Sequence, residues 1–232
     1  MCIATGYVVP NRNLPQKPQE KTRKRPIARL LAKSDAATTG FLTYKNLHFP
    51  AALGKRGVRA RKKEGDGTTP MGAWNCTKVY YRPDRVRRPA TTLVAEPIRR
   101  DFGWCDAPGD RNYNRKVTMP YSASAESLWR DDHLYDVIVI LDYNTKPRSR
   151  SRGSAIFLHV ARPSLAPTEG CIAMKREHLL RLLRMLSPGG ALAAGKTLAI
   201  SADCAAGSNR GRSHAFRGRV SWRRSSPHAS AG

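Results

Sequence analysis

The chemistry-bearing part of this chain is Ser154-Ala-Ile-Phe-Leu-His159-Val-Ala-Arg-Pro-Ser-Leu-Ala-Pro-Thr168-Glu-Gly170-Cys171-Ile-Ala-Met174. An apolar run delivers a histidine, a loop of proline and small residues follows, and a cysteine stands directly after a glycine. A thiol is nucleophilic as its thiolate, so it needs a base or a neighbouring positive charge. His159 fits either role, taking the proton from Cys171 or forming an ion pair with it. The Gly170 and Cys171 N–H groups are the expected oxyanion hole, because a residue without Cβ lets a substrate carbonyl approach the backbone. The start of a following helix would also favour negative charge at the cysteine. The pair alone leaves a second reading open, because cysteine is among the most buried residue types and a packed thiol is inert.

Eleven residues separate His159 from Cys171, so only tertiary structure brings them together. A strand ending at His159 and a loop returning to Cys171 would do so. Strand patterns dominate the chain around them, at 40–44, 72–81, 134–141, 155–158 and 196–201. The runs at 134–141 and 155–158 are almost continuously apolar, as in central strands buried on both faces. A helix is expected over about 175–186, where Leu179, Leu180, Leu182, Leu183 and Leu186 fall largely on one face before Pro188-Gly-Gly190. The expected fold is mainly β, with one main helix after the cysteine. The domain is placed at 38–202, between a basic, proline-bearing lead-in over 1–37 and a basic Gly/Ser/Arg tail over 203–232, both read as disordered.

The chain of 232 residues carries 42 Lys and Arg against 17 Asp and Glu, a formal net charge of +25. Residues 38–202 hold 28 basic and 14 acidic groups, so the domain itself is basic. A polyanionic neighbour is implied: nucleic acid, an anionic membrane face or an acidic wall polymer. No helix-turn-helix, zinc-finger or RNP-like pattern accompanies the charge, so specific nucleic-acid binding is not expected. The five cysteines (Cys2, Cys76, Cys105, Cys171, Cys204) are scattered without CxxC or HxxxH spacing. Neither a zinc cage nor a disulfide framework is therefore expected. No apolar run is long enough to span a membrane, and no convincing signal peptide precedes the domain.

Two motifs together resemble the YkuD-type L,D-transpeptidases, bacterial cell-wall enzymes. Their signature of a strand-terminal His, a variable loop, then Ser or Thr, a residue, Gly, Cys and an apolar residue is matched by His159 and by Thr168-Glu169-Gly170-Cys171-Ile172. Upstream, Lys63-Glu-Gly-Asp-Gly-Thr-Thr-Pro-Met-Gly72 is similar to the family's GDGxTPxG segment. Gly103-Trp-Cys-Asp106, Arg111-Asn-Tyr-Asn114 and His133-Leu-Tyr-Asp136 look like the family's short proteobacterial branch. Two departures stand out: Glu169 where many members have His, and Ala173 where many have Arg or Asn.

The resemblance implies a YkuD-like β-sandwich or barrel-like sheet, with Cys171 as nucleophile and His159 as base. The family usually orients its histidine through a backbone carbonyl, for which Val160 is one source. The implied partners are peptidoglycan stem peptides, a donor tetrapeptide and an acceptor amine. No cofactor is needed, and the implied location is the periplasm or cell envelope. Arg111, Asn112, Arg162 and Thr168 are expected to bind substrate, the arginines through stem carboxylates. Arg152 reads as a solvated side chain, Asp66 as part of a tight turn, and His133 and Cys105 as structural. Two alternatives stand beside the transpeptidase: a hydrolase with the same Cys–His pair, and a non-enzymatic basic nucleic-acid-binding protein.

Overall fold

The computed structural model describes residues 27–187 and 189–196. Along the chain run β1 (Ile27–Ala32), β2 (Thr39–Tyr44), β3 (Leu47–Ala52), β4 (Val58–Arg59), β5 (Thr69–Pro70), β6 (Gly72–Tyr81) and β7 (Val94–Pro97). They are followed by β8 (Phe102–Cys105), β9 (Arg115–Thr118), β10 (Ala125–Ser127), a short 3-10 turn at His133–Tyr135, β11 (Val137–Leu141) and β12 (Phe157–Val160). The described part ends with β13 (Ile172–Met174), the helix α1 (Arg176–Met185) and β14 (Ala191–Lys196).

The main sheet closes on itself. Its order is β11-β12-β13-β3-β2-β1-β14-β6, and β6 pairs in turn with β11. The long strand β6 makes closure possible. Residues 72–75 pair with β14, while its second half meets β11 on one edge and β7 on the other. A register shift between Ile140 and Leu141, of the kind a bulge produces, lies in the β6–β11 seam. A closed sheet leaves few free edges, and its interior is filled by alternate side chains. Along β1, Ala28, Leu30 and Ala32 are buried while Arg29 faces out. This strand lies inside the stretch expected to be a disordered lead-in, so the sheet begins before residue 38. The period-2 alternation was present, but Arg29 obscured it as a continuous apolar run.

Two cores flank β11 and β12. Val137, Val139, Leu141, Leu158 and Val160 join the larger core, together with Leu179, Leu182, Leu183 and Leu186 of the α1 region. Ile138, Ile140 and Phe157 point the other way, into a second core with Trp104, Leu128, Leu134 and Tyr135. The small antiparallel sheet β10-β8-β9 covers that face. Both runs are therefore almost continuously apolar for the expected reason: each strand has two buried faces. The run expected to be strand from 134 begins instead with the 3-10 turn, capped by the Asp132 side chain. Helix α1 follows the expected leucine stripe to within a residue or two. The strand expected at 196–201 lies almost wholly outside the described residues; the one described there is β14.

Candidate active site

Strand β12 fixes the histidine. It is flanked by β11 on one side, with Ile138 opposite His159, and by parallel β13 on the other, with Ala173 opposite His159. Alternation sends Leu158 and Val160 into the large core and His159 toward the second one, where the ring meets Tyr135 edge-on at 5.4 Å. His159 is only 5% exposed, and its Nδ1 lies 2.8 Å from the Val160 carbonyl oxygen. A carbonyl only accepts, so Nδ1 carries the proton and Nε2 keeps its lone pair. Burial lowers the imidazole pKa to about 4, with the nearby Arg130 and Arg162 acting in the same direction. At neutral pH the ring is uncharged, held by the Val160 carbonyl and the edge-on contact with Tyr135.

Cys171 sits immediately before β13. Its Sγ accepts a hydrogen bond from the Phe157 N–H at 3.3 Å, and its S–H donates to the Ala155 carbonyl at 3.2 Å. Desolvation, with Glu126 nearby, pushes the thiol pKa up to about 12, although Phe157 and Lys62 oppose the shift. The resting pair is thus neutral thiol and neutral imidazole, not thiolate and imidazolium. Strand β13 intervenes before α1, and the helix packs into the large core while Cys171 borders the second one. The helix starts at Arg176, within a residue of the expected 175, with β13 between it and the cysteine.

Ala155 holds the thiol through an unusual backbone, with φ +49. Its N–H donates to Asn114 Oδ1 at 2.9 Å. Asn114, itself at φ +56 and 3% exposed, also accepts from the Trp104 indole N–H and donates to the Tyr143 and Asn144 carbonyls. One amide therefore ties β8, the loop after β11 and the Cys171 acceptor into a single buried network.

The GDGxTPxG-like segment is built against the Gly170–Cys171 peptide. Thr69 Oγ1 accepts from the Gly54 N–H and donates to the Gly170 carbonyl. Thr168 Oγ1 donates to the Cys171 carbonyl at 2.6 Å and accepts from the Gly170 N–H at 3.1 Å. The Gly170 N–H, expected in an oxyanion hole, is therefore bonded to Thr168 here. Gly170 itself is required: φ is +137, and a Cβ there would lie 2.8 Å from the Thr68 carbonyl oxygen. Asp66 is the turn residue expected, receiving N–H bonds from Lys63 and Thr68 and an ion pair from Lys62. These bonds hold its pKa at about 2 against the opposing effect of burial.

His159 and Cys171 line one cavity of roughly 300 Å3, together with Thr168, Arg162, Lys62 and Glu126. Arg111 and Asn112 are not among its lining residues. The Arg111 carbonyl accepts from Arg148, and the Asn112 side chain is bonded to the Tyr121 hydroxyl. The Tyr113 hydroxyl donates to Glu64, and Glu169 forms an exposed pair with Lys55. His133 borders Asp136, which is buried among Arg85, Arg176 and the imidazole. Cys105 is fully buried. Lys62 and Glu126 had not been expected here. Lysine carries no signal in a chain this basic, and Glu126 reads as a surface residue until Tyr135 and Arg130 are seen to bond it. Among the described residues no cluster of three or more His, Cys, Asp or Glu could hold a metal ion, and no helix is long and apolar enough to cross a membrane.

No curated protein matches this chain. Among solved structures, an L,D-transpeptidase from Mycobacterium smegmatis aligns at 14% identity, over 73% of this chain and 59% of that one, with a TM-score of 0.36. L,D-transpeptidase 1 of Mycobacterium tuberculosis aligns at 11% identity, over 73% and 62%, with a TM-score of 0.32. This chain thus spans about three fifths of the length of those structures. The model of the YkuD L,D-transpeptidase catalytic domain matches residues 41–198, a stretch that includes both motifs and every residue of the Cys–His site, and the chain belongs to that family.

Proposed function

We propose that this protein is a cysteine acyltransferase acting on peptidoglycan stem peptides, an L,D-transpeptidase with Cys171 as nucleophile and His159 as base. One observation carries the reading: the Val160 carbonyl fixes the His159 tautomer with Nε2 unprotonated, and His159 and Cys171 line one cavity. A partly buried thiol with a raised pKa reacts only if its proton leaves as the bond forms. A neutral imidazole is the right acceptor for that proton.

In the proposed reaction a donor tetrapeptide places the carbonyl of its L-centre against Cys171. Sulfur adds to the carbonyl carbon, the thiol proton passes to His159 Nε2, and the carbonyl electrons move onto oxygen. The intermediate collapses to a thioester, and His159 returns its proton to the departing amine of the terminal D-alanine. The amine of a second stem then repeats the sequence in reverse and leaves a cross-link. Arg162, on the cavity wall, is suited to a stem carboxylate, and Thr168 holds the Gly170–Cys171 peptide in place. The expected site of action is the cell envelope, where the family's peptidoglycan substrate lies.

Incubation with disaccharide-tetrapeptide tests the reading through D-alanine release and product mass. Release by wild type and none by Cys171→Ala is expected, with a cross-linked dimer as product. A tripeptide alone would identify water as the acceptor and favour the hydrolase.

A further inference from the structure

The oxyanion that this reaction creates needs donors beside Cys171, and one of the two expected is occupied by Thr168. Lys62 is a charged donor on the wall of the same cavity. Its side chain is 4% exposed and lines the cavity with Cys171 and His159. Its Nζ lies 3.2 Å from the point a Cβ of Gly170 would occupy, against the same peptide that carries the nucleophile. The Asp66 carboxylate holds the ammonium at 2.8 Å, and the Lys63 carbonyl accepts a long bond at 3.4 Å. An ammonium has three N–H groups, so those two bonds leave one unaccounted for in a nearly dry site. Asp66 in turn is pinned by backbone N–H groups and the Thr68 hydroxyl, so the cation is preorganised.

We propose that Lys62 is a catalytic residue of this enzyme, its ammonium donating to the oxyanion of each tetrahedral intermediate in place of the Gly170 N–H. The inference rests on the acyl-transfer reading above. As sulfur adds to the carbonyl and the thiol proton goes to His159, negative charge appears on oxygen alone, and a fixed neighbouring cation stabilises that state more than the neutral ground state. No proton moves to or from Lys62. The GDGxTPxG-like segment thereby acquires a chemical purpose: its aspartate sets the cation that faces the nucleophile.

The test compares two reactions of the same thiol. A carbapenem acylates Cys171 through an oxyanion, whereas iodoacetamide alkylates it by displacing iodide and forms none. In Lys62→Met acylation is expected to slow about 100-fold, relative to any change in alkylation, with most of the loss recovered in Lys62→Arg. Because Lys62→Met leaves the Asp66 carboxylate unpaired, the double variant Lys62→Met/Asp66→Asn removes both charges, and the same selective loss is expected. Equal slowing of both reactions, or of neither, would overturn the oxyanion role while leaving the transpeptidase reading standing. Wild type that alkylates but never acylates would overturn both.

Discussion

His159 couples the chemistry of the site to the stability of the fold, and the coupling has a sign. Burial lowers the pKa of the folded imidazole to about 4, against an ordinary value of 6.5. Between those values the unfolded chain binds a proton that the folded chain refuses, so stability falls as pH falls. The slope approaches about 1.4 kcal/mol per pH unit, and the loss attributable to this one ring is about 2.5 kcal/mol between about pH 7.5 and about pH 4.5. His159→Asn removes the titration and keeps an amide N–H for the Val160 carbonyl. Urea unfolding of both proteins across that range isolates the term, because other groups titrate alike in the two. Wild type is expected to lose about 2.5 kcal/mol more than the variant. Equal losses would mean that the ring is not held neutral, and a smaller loss in wild type would mean that the fold stabilises the imidazolium.

Gly170→Ala places a side chain at φ +137 and against the Thr68 carbonyl. A cost of about 2–4 kcal/mol, and a fall in Tm of about 5–15 °C, should appear in thermal unfolding, with acylation slowed in parallel. Asn114→Ala orphans two carbonyls, an indole N–H and the Ala155 N–H. Urea unfolding should report a loss of about 3–5 kcal/mol. Arg162→Ala, on the cavity wall, should raise KM for the tetrapeptide about tenfold, while Arg111→Ala, off that wall, should leave KM within about twofold.

The parts of the fold legible in the sequence are those where burial leaves a periodic mark. Strands β11 and β12 stand between two cores, so every position but His159 is apolar, and the leucines of α1 fall on one stripe. Strand β1 was hidden because charged and proline-rich sequence surrounds a genuine alternation. The strands of the small sheet are only three or four residues long, too short for a period to emerge. That Cys171 and His159 share one cavity was legible because a proposed nucleophile and base need particular residue types, and the carbonyl behind His159 is its own neighbour in sequence. The bonding around Gly170 was not legible. Whether its N–H is free depends on one rotamer of Thr168, and Lys62 becomes distinctive only when burial and Asp66 are seen together. Arg111 and Asn112 were placed near the site by the resemblance of residues 111–114, and their positions depend on how the loop after β8 folds back.

The most direct test of the Cys–His acyl-transfer account is intact-protein mass after exposure to a carbapenem, for wild type, Cys171→Ser and His159→Asn. The account predicts one covalent adduct that maps to Cys171 in wild type, none in Cys171→Ser, and acylation slowed by at least about 100-fold in His159→Asn. An adduct that persists in Cys171→Ser, or none on folded and reduced wild type, would contradict it.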